Sequence, residues 1–538
     1  MSEPLDTVLA YHRRTQHHFR HLAAGPPEMD WANQPDPFRR FEGCARHELP
    51  LLPHGAEQPS YAELYHPGSV APRPLSKATL GALFELAFGL SAWKQYGPTR
   101  WALRSNPSSG NLHPTEAYLI AAGCRDLDDG LYHYVSRDHL LERRCAFQCV
   151  GLPPGTALLG LTSIHWREAW KYGERAYRYC QHDAGHALAA VRYAAATLGW
   201  RAQLLDDWGD AGIAALLGTD RAADFGPAER EHPDLLLRVD TAGAEPIEPD
   251  TLLADATQGR WQGRANRLSQ EHAFDWPVID EVAAACSKPR TRESAWSPQP
   301  LPEPLPGGDS AGAIEIIKRR RSAQAFDGTS GIAAQAFYRM LDLTLPRPDT
   351  PPWDAVEREP RLHLLLFVHR VEGLVPGLYL FVRRAAAEPI LRESLSAEFA
   401  WERPDSCPEH LRLYRLLEGD ARPAARTLSC HQDIAADGAF SLGMLAEYAE
   451  SLERAPCNYR RLHWEAGMLG QVLYLEAESA GLRGTGIGCF FDPAVHELAG
   501  IEDDSLQTLY HFTLGGALED QRLQTLPAYA HLDRPAVT

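Results

Sequence analysis

Two stretches of this 538-residue chain match one another at a constant separation of 282 positions. The matched residues occur in the same order without a gap, and all are identical except for one exchange of Asp for Glu. They are Tyr177-Arg178, Asp183-Ala184-Gly185, Gly199, Asp210 and Gly218 in the first half, and Tyr459-Arg460, Glu465-Ala466-Gly467, Gly481, Asp492 and Gly500 in the second. Solenoid repeats have periods of roughly 20 to 50 residues. A separation of 282 instead indicates one fold present twice, in which each half buries its own core.

The sequence around these matches predicts four regions. Residues 1–70 are rich in His, Arg, Pro and aromatic residues and are predicted to form an irregular extension that wraps the opposite half. Residues 71–250 and 311–538 are predicted as the two domains, and 251–310 as a helix followed by a Pro-rich linker over 288–308. Long Ala- and Leu-rich helices, each closed by a glycine, alternate with short apolar strands such as 117–122 and 364–368. This mixture predicts an α+β fold.

Charge and hydropathy exclude several classes of partner. The chain has 53 Lys and Arg against 71 Asp and Glu, a formal charge of −18, so nucleic acid is not an expected partner. The apolar runs are far shorter than the ~20 residues that cross a bilayer, so no membrane partner and a cytoplasmic location are expected. The ten cysteines form no Cys-x-x-Cys pair, and neither a disulfide framework nor a metal site is predicted.

The first half carries a polar loop that has no counterpart in the second. Arg104-Ser105-Asn106 leads into Pro107-Ser108-Ser109-Gly110-Asn111, a turn that offers two hydroxyls, an amide and backbone N–H donors beside a cation. Such a loop can hydrogen-bond a phosphate or the polar edge of a ring. The alternative is an ordinary Ser/Gly turn between two elements of secondary structure.

The second half carries motifs that the first half lacks. Arg319-Arg320-Arg321-Ser322 is a concentrated phosphate-binding pattern, although a solvated basic helix end is an equal alternative. Gly486-Ile487-Gly488 follows the long helix, and its glycines allow the backbone to approach a flat ligand closely. Arg522 adds a cation near the C-terminus, with an exposed ion pair to Asp520 as the alternative. Because each half keeps a motif that the other has lost, the sequence predicts one composite site between them.

Together these motifs resemble those of the nitroreductase-like flavoenzymes, and most closely the branch of SagB-type dehydrogenases, over nearly the whole chain. The opening Arg-Arg-Ser signature is matched by Arg320-Arg321-Ser322, although Gln324 replaces the usual Arg or Lys two places later. The Arg-x-x-Pro-Ser-x-Gly-x-Leu-x-Pro loop is matched from Arg104 to Pro114. The Lys-Tyr-Gly-x-Arg-x-Tyr-Arg-Tyr stretch and the Ala-Gly-His helix are matched by residues 171–179 and 184–186, and the closing segment by 515–527.

The resemblance implies two fused nitroreductase-like domains, each with a central antiparallel sheet flanked by helices, that form an intrachain pseudo-dimer. It implies FMN as the cofactor, with one FMN per chain in the composite site and an empty mirror-related site. The residues that it assigns to FMN binding are Arg104, Ser105, Pro107, Ser108, Ser109, Asn111, Arg320, Arg321, Ser322, Gly486, Ile487, Gly488 and Arg522.

The resemblance also assigns Lys171 as a catalytic base and Tyr172 as its partner in removing a proton next to an azoline-type ring. A lysine serves as a base only where burial or a neighbouring cation such as Arg175 lowers its pKa. Three functions are therefore expected as alternatives: an FMN-dependent dehydrogenase that acts on a small molecule or a modified peptide, an NAD(P)H-dependent nitro- or quinone-reductase, and a degenerate protein that binds flavin or a partner without turnover.

Overall fold

A computed structural model describes residues 3–241, 245–292, 296–307 and 311–532. Parts of the predicted linker, 293–295 and 308–310, lie outside the described residues. The elements up to residue 285 are α1 (Glu3–Arg14), β1 (Phe41–Glu42), β2 (Ala45–Glu48), α2 (Lys77–Ala87), β3 (Leu90–Tyr96), β4 (Thr99–Arg104), β5 (Thr115–Ala121), β6 (Gly130–Val135), β7 (Leu140–Ala146), β8 (Thr156–Ser163), α3 (His165–Tyr172), α4 (Ala176–Thr197), β9 (Arg201–Leu204), α5 (Asp210–Leu217), α6 (Ala222–Phe225), β10 (His232–Asp240), α7 (Pro249–Gln258), β11 (Arg260–Trp261), β12 (Arg264–Ala265) and α8 (Pro277–Ala285).

The elements after the proline-rich segment belong to the second half. They are α9 (Ala313–Arg319), α10 (Ala334–Asp342), β13 (Leu362–Val368), β14 (Gly377–Phe381), α11 (Glu388–Ser394), β15 (Leu413–Glu418), α12 (Arg422–Leu428), α13 (Ile434–Asp437), β16 (Phe440–Glu447), α14 (Tyr448–Arg454), α15 (Asn458–Ser479), β17 (Arg483–Ile487), α16 (Asp492–Ala499), β18 (Leu506–Gly515) and β19 (Gln524–Leu526). No helix among the described residues is long and apolar enough to cross a membrane.

Each half is built on an antiparallel sheet, and the two sheets have the same strand order. The first runs β7-β6-β5-β8-β10-β9, with β2 and β11 added beside β7, and the second runs β15-β14-β13-β16-β18-β17. The central strands are buried along their whole length, because helices and the other half cover both faces. The predicted α+β fold with antiparallel sheets flanked by helices is therefore confirmed.

The two halves meet where the long helices α4 and α15 cross. A Cβ added at Gly185 would overlap the backbone of Trp464, and a Cβ added at Gly467 would overlap the backbone of His182. These contacts are equivalent under the 282-residue shift, since 182 and 464 are themselves 282 apart. The matched glycines thus allow the two helices to approach at backbone distance, which no larger side chain permits. Beside the crossing, the rings of Tyr177 and Tyr459 lie parallel, with centroids 6.4 Å apart.

Two buried ion pairs connect the halves reciprocally. Arg178 donates to Asp492 at 2.8 Å, and the equivalent Arg460 donates to both oxygens of Asp210 at 2.9 Å. Four of the residues matched in sequence therefore hold the halves together. The positive charges of Arg175 and Arg178 also keep the pKa of the buried Asp492 well below its ordinary value.

Terminal segments reach across to the opposite half. The predicted irregular structure is wrong for residues 3–14, because α1 buries Leu5, Val8 and Tyr11 on one face. This helix lies on the second half, where His12 contacts the Tyr459 hydroxyl at 3.3 Å. In the opposite direction, β19 from the C-terminal end pairs with β3 of the first half. The extensions therefore wrap the opposite half, as the sequence suggested.

One further expectation was wrong. Cys430 and Cys489 form a disulfide, whereas the sequence led us to expect none. The two residues are 59 positions apart, so no short cysteine spacing indicates the pair. Cys430 lies between α12 and α13, close to the end of the segment that only the second half contains.

Candidate functional site

A cavity of about 420 Å³ lies between the two halves, and both contribute to its wall. Twelve of the fifteen residues that the sequence singled out line it, and the first-half and second-half motifs therefore face one space. These twelve are Arg104, Pro107, Ser108, Ser109, Asn111, Tyr172, Arg320, Arg321, Ser322, Gly486, Ile487 and Gly488. Ser105 and Lys171 do not line the cavity, and neither does Arg522, although its neighbours Asp520 and Leu523 do.

The first-half loop is fixed by its own hydrogen bonds. The Ser108 hydroxyl accepts from the His113 backbone N–H at 2.8 Å, and the Asn111 amide donates to the Ala102 carbonyl at 2.9 Å. Gly110 has a φ of +59°, which places the turn in the left-handed region that glycine adopts without strain. The loop is therefore a rigid wall and more than the simple connecting turn considered as the alternative.

Arg320 of the second half joins that loop directly. Its Nε donates to the Ser105 carbonyl at 2.9 Å and one terminal nitrogen donates to the Arg104 carbonyl at 3.1 Å. The other terminal nitrogen, Nη1, is buried without a hydrogen-bond partner among the described residues. The guanidinium also lies 5.0 Å from the centre of the Tyr474 ring. The solvated helix end considered as an alternative is wrong for Arg320, which is only 3% exposed.

The arginines that line the cavity have few carboxylate partners. Burial lowers the pKa of Arg104 to about 10 and that of Arg321 to about 10, and it also lowers the pKa of Arg320. Among the described residues, the Arg321 guanidinium donates only to backbone carbonyls, including that of Ser91 at 2.7 Å, while the Arg321 backbone N–H donates to the Glu478 carboxylate at 3.2 Å. Desolvated cations of this kind are stabilised by an anion. This end of the cavity is therefore suited to a phosphate.

The glycine strand forms another part of the wall. Ser322 and the Gly486 backbone N–H both hydrogen-bond the Tyr474 hydroxyl, at 2.8 and 3.0 Å. A Cβ at Gly486 would overlap the hydroxyl of Tyr510, and one at Gly488 would overlap the ring of Tyr179. The glycines therefore make room for tyrosines of the wall as well as for a ligand. The sequence assigned none of these three tyrosines to the site, although Tyr179 ends the matched Lys-Tyr-Gly stretch; they come from α4, α15 and β18.

Lys171 and Tyr172 end α3 beside the turn of the first-half loop. A Cβ added at Gly110 would lie 2.6 Å from the Tyr172 hydroxyl and 3.2 Å from Lys171 Nζ. Tyr172 therefore lines the cavity beside Gly110, whereas Lys171 lies next to Tyr172 and does not line the cavity. Arg175, the cation that the sequence placed near Lys171, is bound to Asp492 at 3.1 Å and to the Gly488 carbonyl at 3.2 Å.

Two buried carboxyl groups lie behind this pair, and the sequence did not assign either to the site. Asp183 accepts from the backbone N–H and hydroxyl of Ser109, each at 3.1 Å at its shortest, and burial raises its pKa to about 7. Both carboxyl oxygens of Glu168 are buried with no hydrogen-bond partner among the described residues. Burial, reinforced by Asp183, raises the pKa of Glu168 well above its ordinary value. Groups that hold a proton near neutral pH are typical of catalytic sites.

Arg522 does not reach the cavity. Its guanidinium donates to Asp520 at 2.8 and 2.9 Å, and 74% of its side chain is exposed. This is the exposed ion pair considered as the alternative from the sequence. The assignment of Arg522 to the composite site is therefore not supported by its position.

A second cavity, of about 590 Å³, is lined in part by the pseudo-symmetric counterparts of residues of α4. Glu465 replaces Asp183, and Arg461 replaces Tyr179. The wall includes Trp296, Trp353 and Arg358, and among the described residues it has neither the Ser-Ser-Gly-Asn loop nor the Arg-Arg-Ser motif. The two cavities therefore differ in chemistry although the folds around them correspond.

Comparison with known proteins agrees with this architecture. Residues 383–516 match the model of the nitroreductase family. A structure from Anabaena variabilis described as a "putative nitroreductase" superposes with a TM-score of 0.69 at 22% identity, covering 95% of this chain and 99% of that one. No curated protein matches the sequence.

Two other solved structures align with less than half of the chain and carry no part of the argument. A "putative nitroreductase in complex with FMN" from Exiguobacterium sibiricum is 12% identical over 40% of this chain and 92% of that one, with a TM-score of 0.23. The E. coli microcin synthetase McbBCD complex with truncated pro-MccB17 is 17% identical over 45% and 94%, with a TM-score of 0.27. The full-length superposition and the family match in the second half show that this chain has the nitroreductase fold.

Proposed function

We propose that the chain is an FMN-dependent oxidoreductase that binds one FMN in the composite cavity. The observation that carries the proposal is the contact of Arg320 with the carbonyls of Arg104 and Ser105, which brings the second-half arginine motif against the first-half loop. Neither half alone supplies both walls. The mirror-related cavity lacks both motifs among the described residues, which supports a stoichiometry of one.

The residues of the cavity fit FMN. The unpartnered Nη1 of Arg320 and the unbalanced charge of Arg104 and Arg321 suit the phosphate. The hydroxyls of Ser108 and Ser322 suit a polar chain, and the Gly486–Gly488 backbone suits a flat ring. When bound, FMN supplies the two-electron chemistry. The protein is then left to hold the substrate and to manage its proton.

Lys171 and Tyr172 are the residues that we assign to proton transfer. Both lie next to Gly110, which lines the cavity, and the buried carboxyl groups of Asp183 and Glu168 lie beside them. Lys171 takes the proton from the substrate carbon, and Tyr172 holds the substrate or the ammonium group by a hydrogen bond. Asp183, fixed by Ser109, is placed to accept or return that proton near neutral pH.

This arrangement favours a dehydrogenase of SagB type over a nitro- or quinone-reductase. Oxidation of a C–H bond next to a heterocycle requires a base, and Lys171 with Tyr172 offers one. A reductase that receives electrons from NAD(P)H has no need of that base. The proposed substrate is accordingly a small heterocycle or an azoline-containing peptide.

The visible spectrum of the purified protein tests the cofactor. We expect flavin absorbance with an FMN-to-chain ratio near one, and a ratio near two would contradict the single composite site. Arg320→Ala is expected to lose FMN, whereas Arg522→Ala, the matched control on the exposed surface, is expected to keep it. Rapid bleaching by NADPH without oxygen would favour the reductase over the dehydrogenase.

Substitution of the base tests the mechanism. Lys171→Ala is expected to abolish dehydrogenation of an azoline peptide while the FMN-to-chain ratio stays unchanged. Unchanged turnover would remove Lys171 from the mechanism. A protein that keeps FMN but never turns over in any variant would support the third alternative, a binding protein.

A further inference from the structure

We propose that Cys430 and Cys489 form a redox-active disulfide that accepts two electrons from flavin bound in the composite cavity. The inference rests on the proposed function, since it requires FMN in that cavity. It adds an internal electron acceptor to the site.

The first observation behind this proposal is the position of Cys489. Cys489 directly follows Gly486-Ile487-Gly488, the glycine strand of the wall, and it lines the cavity itself. Its partner Cys430 does not line the cavity. The disulfide therefore connects a residue of the cavity wall with a residue outside that wall.

Accessibility distinguishes this pair from the other cysteines. Cys430 and Cys489 are both half-buried, whereas seven of the eight free cysteines are buried and only Cys44 is half-buried. Thiol–disulfide exchange requires that the attacking group reach a sulfur atom. The pair that borders the cavity is thus also the pair that an external thiol or disulfide can reach.

The segment that contains Cys430 has an uncommon backbone conformation. Cys430 and His431 have φ values of +53° and +59°, in the left-handed region that residues other than glycine seldom adopt. The Gln432 side-chain amide, which lines the cavity, donates to the Ser429 carbonyl at 2.8 Å and to the Cys489 carbonyl at 3.3 Å. The pairing of the sulfurs and these contacts together hold 429–432 against the wall. Such local strain is often found at functional sites.

The transfer to the disulfide balances between FMN and the two cysteines alone. The S–S bond breaks as the disulfide gains two electrons and two protons and becomes two thiols, and reduced FMN would supply these electrons and protons and be left oxidised. Those electrons come from the C–H bond of the substrate that the flavin oxidises. The thiol of Cys430 is then placed to exchange with an external disulfide, which would regenerate the pair.

The thiol count of the full-length FMN protein tests the proposal. The protein is purified without thiol reagents. Its free thiols are counted after denaturation, in one sample taken before and in another taken after anaerobic reduction of the flavin by dithionite. We expect eight thiols before reduction, because ten cysteines include one disulfide, and ten thiols after it. FMN-free protein treated in the same way is expected to keep eight.

Two variants test the same transfer through the number of electrons that the protein accepts. Complete reduction of the wild-type protein is expected to consume four electrons per chain, and that of Cys430→Ser only two. Cys44→Ser, the matched control at the other half-buried cysteine, is expected to consume four and to show one thiol fewer at each stage. Eight thiols after full bleaching of the flavin would overturn the proposal and leave the proposed function standing.

Other outcomes would overturn the proposal in different ways. Ten thiols before reduction would show that the pair is not oxidised, and ten in the treated FMN-free protein would show that the flavin has no part in the transfer. A protein whose spectrum shows no flavin under any condition would overturn the proposed function together with this inference.

Discussion

Asp183→Asn is the substitution that most directly tests the buried carboxyl group at the site. Asp183 is 2% exposed, and burial raises its pKa from 3.8 to about 7. At a pH between these two pKa values, Asp183 has lost its proton in the unfolded chain and still holds it in the folded protein. The folded state therefore binds more protons, and the stability of the wild-type protein falls as the pH rises from about 4 to about 7.

The magnitude follows from the difference between the two pKa values. At about 1.4 kcal/mol for each pH unit, the loss reaches about 4 kcal/mol above pH 7. Asparagine does not titrate, and its side-chain oxygen can still accept from Ser109. The free energy of unfolding of Asp183→Asn, relative to wild type, is therefore expected to rise by up to about 4 kcal/mol between pH 4 and pH 8.

Urea-induced unfolding of the FMN-free protein, followed by tryptophan fluorescence at several pH values, measures this difference. Glu465→Gln is the matched control in the other half, because Glu465 is bound by the buried Arg383 and by the backbone N–H of Arg361 at 2.9 Å. That control is expected to lose about 3–5 kcal/mol, since it leaves Arg383 without its partner. A relative stability of Asp183→Asn that stays constant with pH, or falls as the pH rises, would refute the reasoning.

Three more substitutions have expected outcomes. Arg320→Lys should weaken FMN binding, measured by ultrafiltration, because a lysine cannot reproduce the paired contacts with two carbonyls and the Tyr474 ring. Retention of FMN equal to that of the wild type would contradict this. Gly110→Ala should lower turnover and keep the flavin, because the Cβ would meet the Tyr172 hydroxyl. An unchanged kcat would count against that contact. Asp492→Asn should lower the free energy of unfolding, measured by chemical denaturation, by about 3–5 kcal/mol, because two buried arginines lose their carboxylate. A decrease of less than about 1 kcal/mol would argue against a tightly bound ion pair.

The sequence predicted the parts of the fold that depend on local pattern. Apolar runs located the central strand pairs, and glycines located the ends of the long helices, where Gly199 and Gly481 have φ values of +68° and +71°. Helix α1 was missed because its apolar residues are buried only by tertiary packing, which places Tyr11 against the rings of Tyr177 in the first half and Tyr459 in the second. The Cys430–Cys489 pair was missed because tertiary packing alone brings the two residues together.

The candidate site was likewise predicted in part from the sequence. Complementary losses between the halves predicted that Arg320 and the Ser108–Ser109 loop share one space, and they line the same cavity. The raised pKa values of Asp183 and Glu168 could not be predicted, because they arise from burial that depends on tertiary packing. Arg522 was misplaced because a motif near the C-terminus does not fix the direction of a side chain, and the neighbouring Asp520 binds it at the surface.

The comparison of Asp183 with Glu465 explains what fusion of the halves permits. In a dimer of identical chains, both sites must carry the same residues, so a carboxyl group cannot be catalytic in one and structural in the other. Here the carboxyl of Glu465 is bound by Arg383 and by two backbone N–H groups, while Asp183 is bound by serine donors of the loop and keeps its proton near neutral pH. In the proposed mechanism one position therefore serves the stability of the pseudo-dimer and its counterpart serves the chemistry, a division that two identical chains cannot encode.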